Sequence, residues 1–148
     1  MIVEIKGVEF KNRGSQLMLW AVVNQLREWW PKVRFAMRSS SIATPEQLLK
    51  IPAIRKLSLR KNIVDFNRFT YILPKSFRDR LLKFDIVLEA DIDMIIDASG
   101  FSYSDQLPST LRLYHLQNEL LRFRRWQKPY VFLPQAFGPF KEKGIRYE

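Results

Sequence analysis

Ile5-Lys6-Gly7-Val8-Glu9-Phe10-Lys11-Asn12-Arg13-Gly14-Ser15-Gln16-Leu17-Met18-Leu19 runs from a short apolar strand through a polar turn into a strongly amphipathic helix. The turn therefore lies where a strand ends and a helix begins. The first backbone N–H groups of a helix have no partner within it and carry partial positive charge, so Asn12, Arg13, Gly14 and Ser15 form a seat for a carboxylate, phosphate or sugar oxygen. Arg13 adds a full charge and a planar fork of donors. The plainer alternative is that Asn12 or Ser15 caps the helix while Gly14 relieves a tight turn.

The same rhythm continues outward from this stretch. Ile2 to Lys6 reads as a strand, and Ser15 to Trp30 as a helix stopped by Pro31, with Leu17, Trp20, Ala21, Asn24, Val23 and Leu26 tracing its apolar face. Val33 to Met37 reads as a second strand and Ser39-Ser40-Ser41 as a loop. Thr44-Pro45-Glu46-Gln47 is a capped helix start with proline in its first turn. Ile54 to Leu59 suits a short strand and Pro74 to Phe84 a helix. Met94-Ile95-Ile96-Asp97-Ala98-Ser99-Gly100 is a buried strand opening into a polar loop that runs to Pro108.

Ser109 or Thr110 then caps a helix reaching Arg125. Leu113, Leu116, Leu120 and Phe123 lie on one stripe of it, and Arg112, Glu119, Arg122 and Arg125 mostly elsewhere. Tyr130 to Leu133 is a last strand, leading into Pro134-Gln135-Ala136-Phe137-Gly138-Pro139-Phe140. This alternation predicts an α/β fold over 1–148, a Rossmann-like parallel sheet with helices on both faces and all three polar loops at its carboxyl edge. Glu4 and Lys6 cut against that picture, because a central strand covered on both faces disfavours charge. Either they pair, or they lie near the open end of the sheet.

With 47% hydrophobic and 14% aromatic residues, the 148-residue chain has the material for a core. No apolar run reaches the ~18 residues that would read as a membrane span, and the N-terminus enters a strand without an apolar signal region; the expected location is the cytoplasm. The absence of cysteine excludes disulfides and thiolate metal sites. His115, the single histidine, excludes a histidine-rich metal centre, so any metal would rest on carboxylates. The net charge of +10 is uneven: residues 50–83 carry ten Lys and Arg against Asp65 and Asp79, a local excess of +8. Such a segment fits nucleic acid, an anionic membrane face, phosphorylated substrates or a solvated connecting region. No interleaved aromatic motif of the RNA-recognition type supports nucleic acid.

Three stretches, in order and spacing, resemble the polysaccharide pyruvyl transferase family: Gly7 to Leu19 (G-V-E-F-K-N-R-G-S-Q-L-M-L), Ile95 to Gly100 (I-I-D-A-S-G) and Leu133 to Phe140 (L-P-Q-A-F-G-P-F). The resemblance implies a glycosyltransferase-B-like architecture, two Rossmann-like domains facing each other over a cleft. A pyruvyl group passes there from phosphoenolpyruvate to sugar hydroxyls, with no further cofactor. On that comparison the chain is expected to be the N-terminal domain, lacking its C-terminal partner and inactive alone. Its partners are expected to be a sugar or lipid-linked oligosaccharide acceptor and, peripherally, the anionic inner membrane face.

Forming a ketal from phosphoenolpyruvate requires groups that hold the donor's carboxylate and phosphate, a group that moves protons, and a polar surface that orients two acceptor hydroxyls. This chain is equipped mainly for the last, through Asn12, Arg13, Gly14, Ser15, Gln16, Ser99, Gly100, Ser102, Tyr103, Asp105, Gln135 and Gly138. Asp97 is the candidate catalytic carboxylate, with backbone capping at the loop as its alternative. His115 sits mid-helix, away from the loops. Asp91-Ile92-Asp93 has the spacing of a metal-dependent nucleotide-sugar site but precedes a strand rather than following one. Trp29-Trp30 and Phe137 either stack on a sugar ring or close the core. Two other functions fit: the N-terminal domain of a nucleotide-sugar glycosyltransferase, and a basic domain binding nucleic acid or anionic lipid.

Overall fold

The computed structural model describes residues 1–8, 10, 12–38, 53–61, 64–99 and 110–134. The expected helix start at Thr44 and the residues Gly100, Ser102, Tyr103, Asp105, Gln135, Phe137 and Gly138 lie outside them. Six parallel strands form one sheet: β1 (Ile2–Lys6), β2 (Arg34–Arg38), β3 (Ala53–Lys56), β6 (Ile86–Val87), β7 (Met94–Asp97) and β8 (Tyr130–Phe132), in the order β6-β3-β2-β1-β7-β8. A small antiparallel hairpin, β4 (Arg60–Lys61) with β5 (Val64–Asp65), is inserted after β3. The α-helices among the described residues are α1 (Arg13–Trp29), α2 (Lys75–Lys83) and α3 (Thr110–Arg125). No helix among the described residues is long and apolar enough to cross a membrane.

The winding is that of a doubly wound α/β sheet. From β1 the chain proceeds outward through β2, β3 and β6, then returns to the other side of β1 to lay down β7 and β8. Strand order reverses between β1 and β7, the switch point at whose carboxyl edge sheets of this kind place their ligand crevice. The expected parallel sheet is present; β6 and the hairpin, with strands of two residues each, are too short to announce themselves by periodicity.

Alternation along the strands sorts two faces. Val3, Ile5, Phe35, Met37 and Ile96 join Leu19, Val23 and Leu26 of α1 in one apolar cluster. The buried positions of α1 are thus Ser15, Leu19, Val23 and Leu26. Leu17 and Trp20, expected on the apolar face, are exposed, because the buried stripe is rotated from the one their hydrophobicity suggests. Trp29 and Trp30 also face water, edge to face with each other, and do not close the core.

The opposite face is divided. Its amino half is apolar: Ile2, Ala36, Ile54 and Ile95 pack with Val87, Ile92 and Phe123 of α3. Its carboxyl half is ionic, with Glu4, Lys6, Lys56 and Asp97 pointing the same way as those apolar residues one pleat earlier. Both charges of β1 are paired, though not with each other: Lys56 binds Glu4, and Lys6 binds Glu119 of α3. Ala36, small and in register between Glu4 and Ile54, leaves Lys56 room to cross the intervening strand. The expectation that Glu119 and Arg122 lie off the buried stripe of α3 is therefore corrected. They carry the charges that answer this ionic half-face, while Leu113, Leu116 and Leu120 line an outer groove with Phe123 and Tyr130.

Candidate functional site

The switch point is built around Gly7. Its φ of +73° is a conformation that side chains disfavour, and a Cβ there would fall within 2.6 Å of the Ser99 backbone nitrogen. The loop after β1 therefore lies directly against the loop after β7, fastened one residue back by Ala98 N–H donating to the Lys6 carbonyl at 2.9 Å. On the far side of β7, Leu133 N–H donates to the Asp97 carbonyl at 2.9 Å, so β8 also delivers its chain to this edge.

Asp97 is buried and starts the loop after β7. Its Oδ1 accepts Ser99 N–H at 3.0 Å and also the Ser99 hydroxyl, an Asx turn that starts the loop. Its Oδ2 accepts the Tyr130 hydroxyl at 3.0 Å, and that hydroxyl accepts from Lys6 Nζ at 2.9 Å. The geometry is that of a capping carboxylate.

At the start of α1, Asn12 is the cap: its Oδ1 accepts Gly14 N–H at 2.9 Å and Ser15 N–H at 3.4 Å. Gln16 N–H donates to the Asn12 carbonyl, and its side-chain amide donates to the carbonyl of Phe10. Ser15 is buried. Among the expected binding residues here, the exposed ones are Asn12, Arg13 and Gly14. No acidic residue occupies the first turn of α1, so the helix dipole and the Arg13 guanidinium add at one place. A cation at a helix N-terminus costs stability, so Arg13 adds nothing to the helix it begins.

Behind the crevice runs the buried ionic network. Glu119 faces Lys6, Lys56 at 3.5 Å and Arg60 at 3.1 Å. Burial would raise its carboxyl, but Lys6, Lys56 and Arg60 together hold it well below the usual range. Burial also works upward on Asp65, and Arg60, the Asn67 amide and Arg122 outweigh it. Arg122 clamps Glu89 at 2.5 and 2.9 Å and reaches Asp65 at 3.1 Å. Burial and the neighbouring Glu89 carboxylate push the Tyr71 phenol up.

Asp91 and Asp93 sit at the other end of the sheet: Asp93 accepts Ile2 N–H at 2.6 Å, and Asp91 pairs with Arg78. Their spacing serves the start of the strand. His115 lies one turn before Glu119 on α3. Gly7, Lys6 and Tyr130 meet at the switch point although none of them is among the expected site residues. A glycine between a strand and a helix is a signal that points to Gly7, and the charge of Lys6 in a central strand is another, whereas nothing local marks Tyr130.

A family model described as polysaccharide pyruvyl transferase matches residues 12–148. No curated protein and no solved structure matches the chain.

Proposed function

The chain belongs to the polysaccharide pyruvyl transferase family, and on that premise we propose that it is the acceptor-side domain of an enzyme moving a pyruvyl group from phosphoenolpyruvate to two sugar hydroxyls of a cell-surface polysaccharide precursor. The reaction protonates the methylene carbon of the donor, joins one hydroxyl oxygen to the neighbouring carbon, expels phosphate and closes the ketal with the second hydroxyl. Of the two hydroxyl protons, one ends on the new methyl group and one on the phosphate. A second Rossmann-like domain facing the same edge would supply the donor site and the proton.

The observation carrying this reading is the contact of Gly7 with Ser99 at the switch point, together with an exposed Arg13 at a helix N-terminus that Asn12 caps and whose first turn holds no acid. At that edge the Arg13 cation stands at the start of α1 and Ser99 opens the loop after β7. The edge suits a sugar joined to a diphosphate: hydroxyls against the polar loops, the anion at Arg13. Asp97, engaged by Ser99 and Tyr130, fixes the start of the loop after β7 for this task.

The test is calorimetric titration with a synthetic prenyl-diphosphoryl hexose, phosphoenolpyruvate and a uridine-diphosphate hexose. The reading expects the prenyl-diphosphoryl sugar to bind, Arg13→Ala to weaken it about tenfold, the loss of one charge-assisted contact, and phosphoenolpyruvate binding to be indifferent to that change. Preference for the nucleotide sugar would favour an ordinary glycosyltransferase. Equal binding by wild type and Arg13→Ala would remove the proposed seat.

A further inference from the structure

Between β3 and β6 the usual distribution of side chains is inverted. In the 3₁₀ turn Phe66–Tyr71, the inward residues are polar: Asn67 and Thr70 are 1% and 0% exposed. The outward ones are apolar, with Phe66 at 46%, Phe69 at 45% and Ile72, just beyond, at 78%. An exposed apolar residue alone says little, but buried polar groups beneath exposed apolar ones are informative.

This exposure does not come from loose packing. Asn67 Oδ1 accepts Leu59 N–H at 3.0 Å, and its own N–H and amide donate to Asp65 at 3.0 and 2.7 Å. Thr70 Oγ1 donates to the Asn67 carbonyl at 2.6 Å and accepts Ala90 N–H at 3.3 Å. Tyr71 stacks on Trp126 with ring centroids 5.0 Å apart. The turn is bolted down from inside by its polar groups, and its hydrophobic groups are held out.

The next element continues the pattern. Helix α2 turns Arg78 to Asp91 and Leu82 to the core, leaving Phe77, Arg80 and Phe84 on an outer stripe. Arg68, Lys75, Arg80 and Lys83 are exposed, whereas Asp79 is the one exposed acid over the described residues 64–84. The basic middle of the sequence thus holds two populations: Lys56, Arg60 and Arg78 are consumed inside, and Arg68, Lys75, Arg80 and Lys83 stand among exposed hydrophobics.

We propose that residues 64–84 dock this protein on an anionic lipid surface. Phe66, Phe69, Ile72 and Phe77 enter the headgroup boundary, and Arg68, Lys75, Arg80 and Lys83 meet the lipid phosphates. The most exposed of the apolar four is aliphatic Ile72, which gains from an apolar medium and offers nothing for a nucleic-acid base to stack on. A second copy would bring the same cations against themselves across a two-fold interface. The inference stands on this segment and not on the acceptor reading; where both hold, the crevice works beside the membrane that carries a lipid-linked acceptor.

Co-sedimentation with phosphatidylcholine vesicles, with and without about one-third phosphatidylglycerol, tests it. The chain is expected to bind the anionic vesicles, more weakly as salt rises. Phe69→Ser with Ile72→Ser should reduce partitioning more than tenfold with the thermal midpoint unchanged, and Asp79→Lys should raise it roughly fivefold per added charge, a gain that misfolding cannot mimic. Equal binding to neutral vesicles, no binding to either, or tighter binding to a single-stranded RNA would overturn the proposal. So would a double variant that changes the sedimentation coefficient but not vesicle binding. Arg13→Ala should leave vesicle binding intact, so either reading can fail without the other.

Discussion

Lys6, the last residue of β1, and Glu119, in the middle of α3, form an ion pair across 113 positions of sequence. Glu119 is fully buried and also meets Lys56 and Arg60. Removing one partner of such a cluster strands the others in low dielectric. Glu119→Leu is expected to cost about 3–5 kcal/mol by chemical denaturation, and Lys6→Met on that background to recover part of the loss by removing one uncompensated charge. A loss below about 1 kcal/mol would show that water reaches the network.

Gly7→Ala meets two penalties. Its φ of +73° costs an L-residue about 1–2 kcal/mol, and its Cβ would overlap the Ser99 backbone. A total loss of about 2–4 kcal/mol is expected, with ligand binding at the crevice impaired because the two loops must part. Thermal unfolding and calorimetry on the same preparation check both.

Asn12 and Arg13 are adjacent and should behave oppositely. Asn12→Ala removes the helix cap and should cost about 0.5–2 kcal/mol. Arg13→Ala relieves an unfavourable charge at a helix N-terminus and should leave stability unchanged or raise it by up to about 0.5 kcal/mol, while anion binding falls. Comparable destabilisation by both would make Arg13 a structural residue.

Acid should unfold this protein through Glu119 and Asp65. Both carboxyls are held below their unfolded values, so their stabilising contribution is complete above the unfolded carboxylate range near pH ~4 and is lost as pH falls through the lower folded values. Asp91, raised by burial despite Arg78, acts in the opposite sense and softens the slope near pH ~4. Denaturant midpoints between pH 2 and 6 should therefore fall steeply toward acid, and Glu119→Gln should flatten the lower part of the curve.

The strand-helix alternation, the parallel sheet and the edge bearing the loops were legible because each rests on local signals: apolar runs, a proline stop, a turn before a helix. The ionic half-face was not. Glu4 and Lys6 appeared as anomalies because Lys56 and Glu119, which answer them, are 52 and 113 positions away. The same distance effect misdirected the reading of α3: a leucine stripe suggests the buried side unless the opposing sheet face is known to carry charge. On α1, Leu17 and Trp20 outbid Ser15 by hydrophobicity but lost the core position by rotation. At the crevice, Asn12 and Asp97 were recognised as capable of capping, whereas the Tyr130 bridge between Lys6 and Asp97 joins three strands and leaves no mark on any one of them.

The sheet face that is greasy at one end and ionic at the other also indexes the helix lying on it. Grease alone would let α3 slide, since one leucine resembles the next. A slip of one turn, about 5.4 Å, would carry Glu119 and Arg122 away from their partners, taking from Lys6 its carboxylate and from Lys56 and Asp65 one ion-pair partner each. Misaligned dockings are thereby disfavoured in a way no oily seam could match, and the strand that α3 feeds, β8, arrives beside β7 with its end already at the crevice.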